Sequence, residues 1–230
     1  MFWMDEGLNS SICLDGIVTV VDAKHILRSL NEPVEEEVPE IEKETDHGHG
    51  PLMSTAHLQV SHADVLILNK SDLATMEELE AVQARLLSIN ALAKIIVTDH
   101  SKVENLSGTV LDLEAYSSFT TPDFGIKGHS HLDRTISTVE YKLPVLNEQG
   151  FAKLERWLED VLWPSDKQKL YEVHRTKGFL RFTGGACKLL QGVREIFDIT
   201  DTQSREPSNA EGTRVVFIGR RLENVPSHPG

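Results

Sequence analysis

Three short apolar runs constrain this chain more than any other feature. Ile17 to Val21 reads IVTVV and ends in Asp22, Val65 to Leu68 reads VLIL and ends in Asn69, and Ile95 to Val97 reads IIV before Thr98. A continuous β-branched run such as the first has no side to turn to water and reads as a strand buried on both faces; the second reads as another buried strand and the third as a short apolar strand. Helical patterning separates them. A helix is expected over about Ser54 to His62. Another begins at Thr75, which has capping-box spacing to Glu78, and continues with Met76, Leu79, Val82, Leu86 and Ile89 on one face. A last short helix is expected over Gly108 to Leu113. Strand, helix, strand, helix, strand is the order of an α/β unit with a parallel sheet.

The character changes near residue 117. SSFTTPDFGIKGHSHLD is polar and reads as a linker. Beyond it, Thr135 to Leu143 alternates in part, and Phe151, Leu154, Leu158 and Val161 form a helical stripe stopped at Trp163-Pro164. Three β-like runs follow, at 171–182, 187–199 and 213–219. The expected organisation is therefore an α/β region over 1–116, a linker over 117–133, and a smaller α+β domain over 134–224. Residues 32–50 carry a run of acids, two prolines and a Gly/His end, and read as a solvated loop or insertion.

Charge and cysteine usage narrow the partners. With 23 basic against 36 acidic residues the formal charge is −13, which opposes non-specific contact with nucleic acid or an anionic membrane. No run has the length of a membrane helix, and the start carries acid where a secretion signal carries base. Cys13 and Cys187 do not make a disulfide framework. A cytoplasmic or nuclear location is expected.

The second apolar run opens into Asn69-Lys70-Ser71-Asp72. A carboxylate accepts two parallel hydrogen bonds, and guanine offers two adjacent donors, N1–H and its N2 amine. Adenine presents an acceptor at N1 and has no such amine, so it leaves the carboxylate facing a lone pair. Asp72 is placed to be that carboxylate, Lys70 to lay its methylene stem over the base, and Asn69 to bond the far edge and brace the loop. Such ligands sit beyond the carboxyl ends of strands in open α/β sheets. The loop after the third run, Thr98-Asp99-His100-Ser101, is placed to bond the guanine carbonyl through its backbone. The competing reading is an ordinary strand-to-helix turn, where Asn and Asp are common.

Several segments in order resemble the CobW-type P-loop GTPases, proteins with a cobalamin-synthesis-W domain, one branch of which comprises zinc-regulated GTPase metalloprotein activators. They are LDGIVTVVDA at 14–23, QVSHADVLILNKSDL at 59–73, INALAKIIVTDHSKV at 89–103, HRTKGFLRF at 174–182, LQGVREIFD at 190–198 and TRVVFIGRRLE at 213–223. The resemblance implies the C-terminal part of a parallel-sheet P-loop GTPase domain followed by a CobW C-terminal domain. It implies GTP and GDP as ligands, Mg²⁺ and Zn²⁺ in the complete protein, and a client metalloprotein as partner. Two family features are missing from the sequence: the phosphate-binding G-x-x-x-x-G-K-[ST] loop and a C-x-C-C metal motif. The chain is accordingly expected to be a fragment or shortened variant that binds GTP poorly and does not hydrolyse it.

His47 and His49, and again His129 and His131, stand two residues apart in loop-like sequence beside Asp46 and Asp133. Such a pair chelates one zinc ion weakly, and the resemblance implies His-rich loops that collect metal; solvated loop histidines are the alternative. Asp22 lacks a D-x-x-G continuation and reads as structural or switch-adjacent. The pairs Arg175/Lys177 and Arg220/Arg221 read as surface charge or a basic docking patch, and Cys187 as a packed thiol. The leading reading is part of a GTP-dependent zinc chaperone. The alternative is a non-enzymatic metal-buffering or interaction module on a degenerate G domain.

Overall fold

In a computed structural model, residues 14–31, 53–117, 119, 136–164, 170–202 and 212–228 are described. The three apolar runs form strands β1 (Val18–Asp22), β2 (Val65–Asn69) and β3 (Lys94–Val97), which pair in parallel in the order β1-β2-β3. The register sets Val18 against Val65, Asp22 against Asn69, and Leu68 against Val97, so all three carboxyl ends reach one edge. Helices α1 (Ile26–Asn31), α2 (Thr55–His62) and α3 (Met76–Ile89) cover one face. Val21, Leu66 and Leu68 meet Ile26, Leu30, Val60, Val82 and Leu86 there in one core.

Only β2, the central strand, is buried on both faces. On the flanks Val20 is 65 % exposed and Val97 44 %, so the both-sided burial expected of the first run is not found. Val20 lies on the face opposite the helices, alongside Ile67 and Ile96, whereas Val97 shares the helix side with Leu68 and stays exposed at the end of β3. Helix α3 starts as the sequence dictates: Thr75 Oγ1 accepts from the Glu78 N–H at 3.2 Å, and a Glu78 carboxylate oxygen accepts from the Thr75 N–H at 2.9 Å. Its buried face is Leu79, Val82, Leu86 and Ile89, while Met76 stands 70 % exposed ahead of the core. Asn90 then stops it and is wholly buried. Its amide donates to the carbonyls of Val60 and Ala63 at 2.8 and 2.9 Å, closing the end of α2.

Two expectations fail in this half. No helix forms over 108–113: the segment is turns with an isolated bridge between Ser107 and Leu111, and Gly108, Asp112 and Glu114 all take positive φ. The Asp15 carboxylate captures the N–H groups of Leu113 and Glu114 at 2.7 and 2.8 Å, which draws the segment across the sheet instead. Helix α1, only six residues long, was not anticipated.

The second region is a five-stranded antiparallel sheet of β4 (Ser137–Leu143), β5 (Glu172–Arg181), β6 (Cys187–Val193), β7 (Ile196–Asp201) and β8 (Thr213–Arg220), ordered β4-β8-β5-β6-β7. The run at 187–199 is therefore two strands, turned at Arg194-Glu195 with Arg194 at φ 52°. Helix α4 (Glu148–Leu162) lays Leu154, Trp157, Leu158 and Val161 on one face, against Val215 and Phe217. Val216 and Ile218 point the other way, into the core of the parallel sheet. Strand β8 is thus buried on both faces, which explains an unbroken VVFI in an antiparallel sheet.

A β-bulge in β5 shapes the contact between the two regions. Pairing with β8 slips between Val173 and Arg175, leaving His174 as the extra residue. The slip lets Val173 and Leu180, seven positions apart, share the α4 side. It also turns His174, Arg175 and Lys177 toward the parallel-sheet region. Asp64, just before β2, binds Arg175 and receives Lys177 Nζ at 2.9 Å, and its other oxygen takes the Ile17 N–H at 3.0 Å. Arg175 also bonds the His62 carbonyl at 2.6 Å, and Lys177 the Ala115 carbonyl at 3.0 Å. Beside them the His62 and His174 rings stack at 5.7 Å. Arg175 and Lys177 are 3 % and 6 % exposed, so they are not the surface pair expected of them; they are the cations of a buried clasp. Arg221 is exposed and Arg220 half-buried.

Candidate functional site

The carboxyl edge of the parallel sheet gathers Asp22 from β1, Asn69 to Asp72 after β2, and Thr98 to Ser101 after β3. The backbone holds these loops together: Ala23 N–H donates to the Asn69 carbonyl at 2.9 Å, and Ser71 N–H to the Thr98 carbonyl at 3.2 Å. Asn69 is the brace. Its Oδ1 accepts from the Ser101 N–H at 2.9 Å and the Thr98 hydroxyl at 3.2 Å, and its Nδ2 donates to Ser101 Oγ at 2.9 Å. Most of the bonding capacity of its amide lies within the protein, leaving one N–H for a ligand. Thr98 is buried, and Ser101 is exposed.

Lys70 takes a left-handed backbone, φ 62° and ψ 35°, and His100 and Ser101 also have positive φ. Non-glycine residues seldom adopt that region, and such strain collects at ligand-handling loops. The Lys70 ammonium reaches sideways to Asp22 Oδ2 at 2.7 Å. Asp72 stands in the first turn of a 3₁₀ segment, Ser71–Leu73, exposed and with no hydrogen bond to any described residue. An exposed carboxylate just beyond a strand end, with both oxygens open, is suited to two parallel donors.

Asp22, which the sequence marks as structural or switch-adjacent, is tied directly to the loop after β2. Its Oδ1 accepts from the N–H groups of Lys24 and His25 at 2.9 and 3.2 Å, and its Oδ2 meets His25 Nδ1 at 3.1 Å as well as Lys70. Burial alone would raise its pKa, but the bonds from Lys70, His25 and the Lys24 N–H outweigh it and hold the carboxyl well below the usual range. The signal in the sequence was its position, last in a strand that pairs with the strand carrying the motif.

The His47/His49 and His129/His131 pairs lie outside the described residues. Among the described residues no three His, Cys, Asp or Glu side chains are grouped to hold a metal. Cys187 is a half-buried free thiol. No described helix is long and apolar enough to cross a membrane.

Comparison with known proteins matches both halves of the chain to described domains. The CobW/HypB/UreG nucleotide-binding domain matches residues 1–97, and the cobalamin synthesis protein cobW C-terminal domain matches residues 143–225. The chain belongs to the CobW family. The zinc-regulated GTPase metalloprotein activator 1 of Schizosaccharomyces pombe is 32 % identical, with 97 % of this chain and 57 % of that protein covered. The Escherichia coli zinc chaperone YjiA is 27 % identical over 96 % of this chain and 61 % of its own length. The crystal structure of Zn(II)-bound YjiA GTPase from E. coli shares the fold, with TM-score 0.65 at 24 % identity, covering 94 % of this chain and 60 % of that one. This CobW chain thus spans about 57 % of the S. pombe relative it matches.

Proposed function

We propose that this CobW chain is the base-reading part, with the C-terminal domain, of a GTP-dependent zinc chaperone that delivers metal to a client metalloprotein. The observation that carries the reading is Asp72, unengaged and exposed beside a braced Asn69 and a sideways Lys70. Asp72 accepts guanine N1–H and the N2 amine, Lys70 covers the base with its stem, and Asn69 braces the loop. Thr98 and Ser101 hold the second loop where its backbone meets the guanine carbonyl.

The residues present fit a guanine base. They do not fit its phosphates or Mg²⁺, because no G-x-x-x-x-G-K-[ST] stands in the sequence. No hydrolytic step is therefore assigned to these residues, and GTP binding by this chain is expected to be weak. Zinc is cargo in this reading, and weak chelation at His47, His49, His129 and His131 is the part assigned to this chain. The missing phosphate loop also favours a second reading, a metal-buffering or interaction module on a degenerate G domain.

Titration of the 230-residue chain with GDP and ADP, followed by NMR, separates the two. A preference for GDP that disappears in Asp72→Ala supports the first reading. Equal affinity for both nucleotides, or no binding at millimolar concentration, overturns it and leaves the module.

A further inference from the structure

We propose that Asp22 is a positioning residue for guanine recognition: from the end of β1 it pins the Lys70 ammonium, so that the lysine stem forms a fixed floor under the base. The inference rests on the guanine reading of Asn69, Lys70 and Asp72. Its own support is geometric.

Asp22 and Asn69 are register partners at the ends of adjacent parallel strands. Lys70 follows Asn69, and its left-handed backbone turns the chain as it leaves β2. The 2.7 Å contact with Asp22 Oδ2 means that the four methylenes of Lys70 run from the end of β2 to the end of β1. They cross the carboxyl edge of the sheet, the side on which open α/β sheets take their ligands. A lysine side chain free in solvent samples many rotamers, and ordering it costs entropy when a base arrives. A pinned stem has lost that freedom beforehand, which is preorganisation.

Asp22 is itself held. The N–H groups of Lys24 and His25 fix one oxygen, so the carboxylate does not swing after the lysine. Its side chain is 30 % exposed and that of Lys70 51 %, which keeps the pair modest in strength but in reach of a ligand. The carboxylate lies behind the ammonium and acts on the base through Lys70 alone. Asp72 selects guanine; Asp22 sets how ready the floor is, whichever base arrives.

A purely structural role is the competing account, because the Oδ1 bonds also close the turn over 22–25. Asp22→Asn separates the two, since an amide oxygen still accepts those bonds while the charge facing Lys70 is gone. Asp22→Ser, which also closes such turns, is a second variant in case the first fails to fold. Wild type, Asp22→Asn, Lys70→Ala, the double variant and Asp72→Ala are titrated as full chains with GDP and with ADP. Lys70 acylation by limiting acetic anhydride is read by mass spectrometry.

Asp22→Asn is expected to weaken GDP binding about two- to fivefold. It leaves the GDP-to-ADP ratio unchanged and raises Lys70 acylation severalfold. The double variant binds no worse than Lys70→Ala. Additive losses in the double variant, unchanged GDP affinity in Asp22→Asn, or unchanged Lys70 acylation each overturn the proposal. If wild type prefers GDP and Asp72→Ala abolishes the preference while Asp22→Asn is silent, only the role of Asp22 falls. If wild type shows no preference for GDP, the guanine reading falls and takes this inference with it.

Discussion

The two ends of β2 hold their charges in opposite ways. At the carboxyl end Asp72 is bare, and Lys70 and Asp22 meet in partial solvent. At the amino end Asp64 is surrounded by Arg175, Lys177 and the Ile17 N–H, with both cations buried. The same residue types serve two purposes, and the surroundings decide which. A buried carboxylate with both oxygens engaged holds two regions together. An exposed one with neither engaged is open to a ligand. The pKa directions agree. Burial would raise Asp64, but Lys177, Arg175 and the Ile17 N–H hold it low; burial and the neighbouring Arg175 push Lys177 down to about 8.

The largest effect that tests this contrast is expected from Asp64→Ala. It strands two buried cations and should lower the unfolding free energy by about 3–5 kcal/mol in urea titration. Replacing Asp64, Arg175 and Lys177 together by apolar residues of similar volume should recover most of that loss. A loss below about 1 kcal/mol for the single change would mean that water screens the clasp as it screens a surface pair.

Asp72→Ala should do the reverse. The unfolding free energy from urea titration stays within about 0.5 kcal/mol of wild type, and discrimination between GDP and ADP falls by about 1–3 kcal/mol. A destabilised Asp72 variant would show that this carboxylate has a structural partner after all.

Acid sharpens the comparison further. The approach of His174 Nε2 at 3.5 Å chiefly, together with the charges of His174, Arg194 and Arg220, outweighs burial and holds Glu172 down at about 2 against an ordinary 4.5. Between those values the unfolded chain binds the extra proton, so this contribution is complete above pH 4.5 and lost as pH falls toward 2. Burial lowers His62 from 6.5, helped by His174, Arg175 and Arg194, so stability begins to fall as pH drops below 6.5. Glu172→Gln should flatten the lower part of that acid limb by about 1–2 kcal/mol, after discounting for its partial exposure. A pH series of urea midpoints reads this directly, and identical acid limbs in the two proteins would remove Glu172 from the account.

The smallest effect belongs to the exposed Lys24–Glu78 pair at 2.9 Å. Lys24→Met should leave the urea midpoint within error at physiological salt. A clear shift would place this pair among the structural contacts.

What the sequence disclosed follows the same division. VLILN announced its own burial, and Thr75 with Glu78 its own helix start, because both signals are local. The placement of Asn69, Lys70 and Asp72 just after a buried strand was legible for the same reason. The missing helix over 108–113 was not, since the group that diverts it, Asp15, stands 98 residues before Leu113. Arg175 and Lys177 looked like surface charge because their partner, Asp64, stands 111 and 113 residues away. The hairpin turn at Arg194-Glu195 carries neither Gly nor Asn, so nothing in the sequence marked the break between β6 and β7. Asp22 was visible as a strand end, but its bond to Lys70 depends on a register that only the pairing of β1 with β2 sets.

The length of chain enclosed by the clasp also orders events in time. Arg175 and Asp64 close a loop of 111 residues, whereas β6 and β7 meet across a turn and β1 reaches β2 within 47 positions. Closing the longest loop costs the most chain entropy, about 4 kcal/mol on a (3/2)RT ln n scale before constants. Local pairings therefore return that cost early, and the clasp repays it only once both sheets exist. Refolding should end in a docking step, with the buried charges losing their water last.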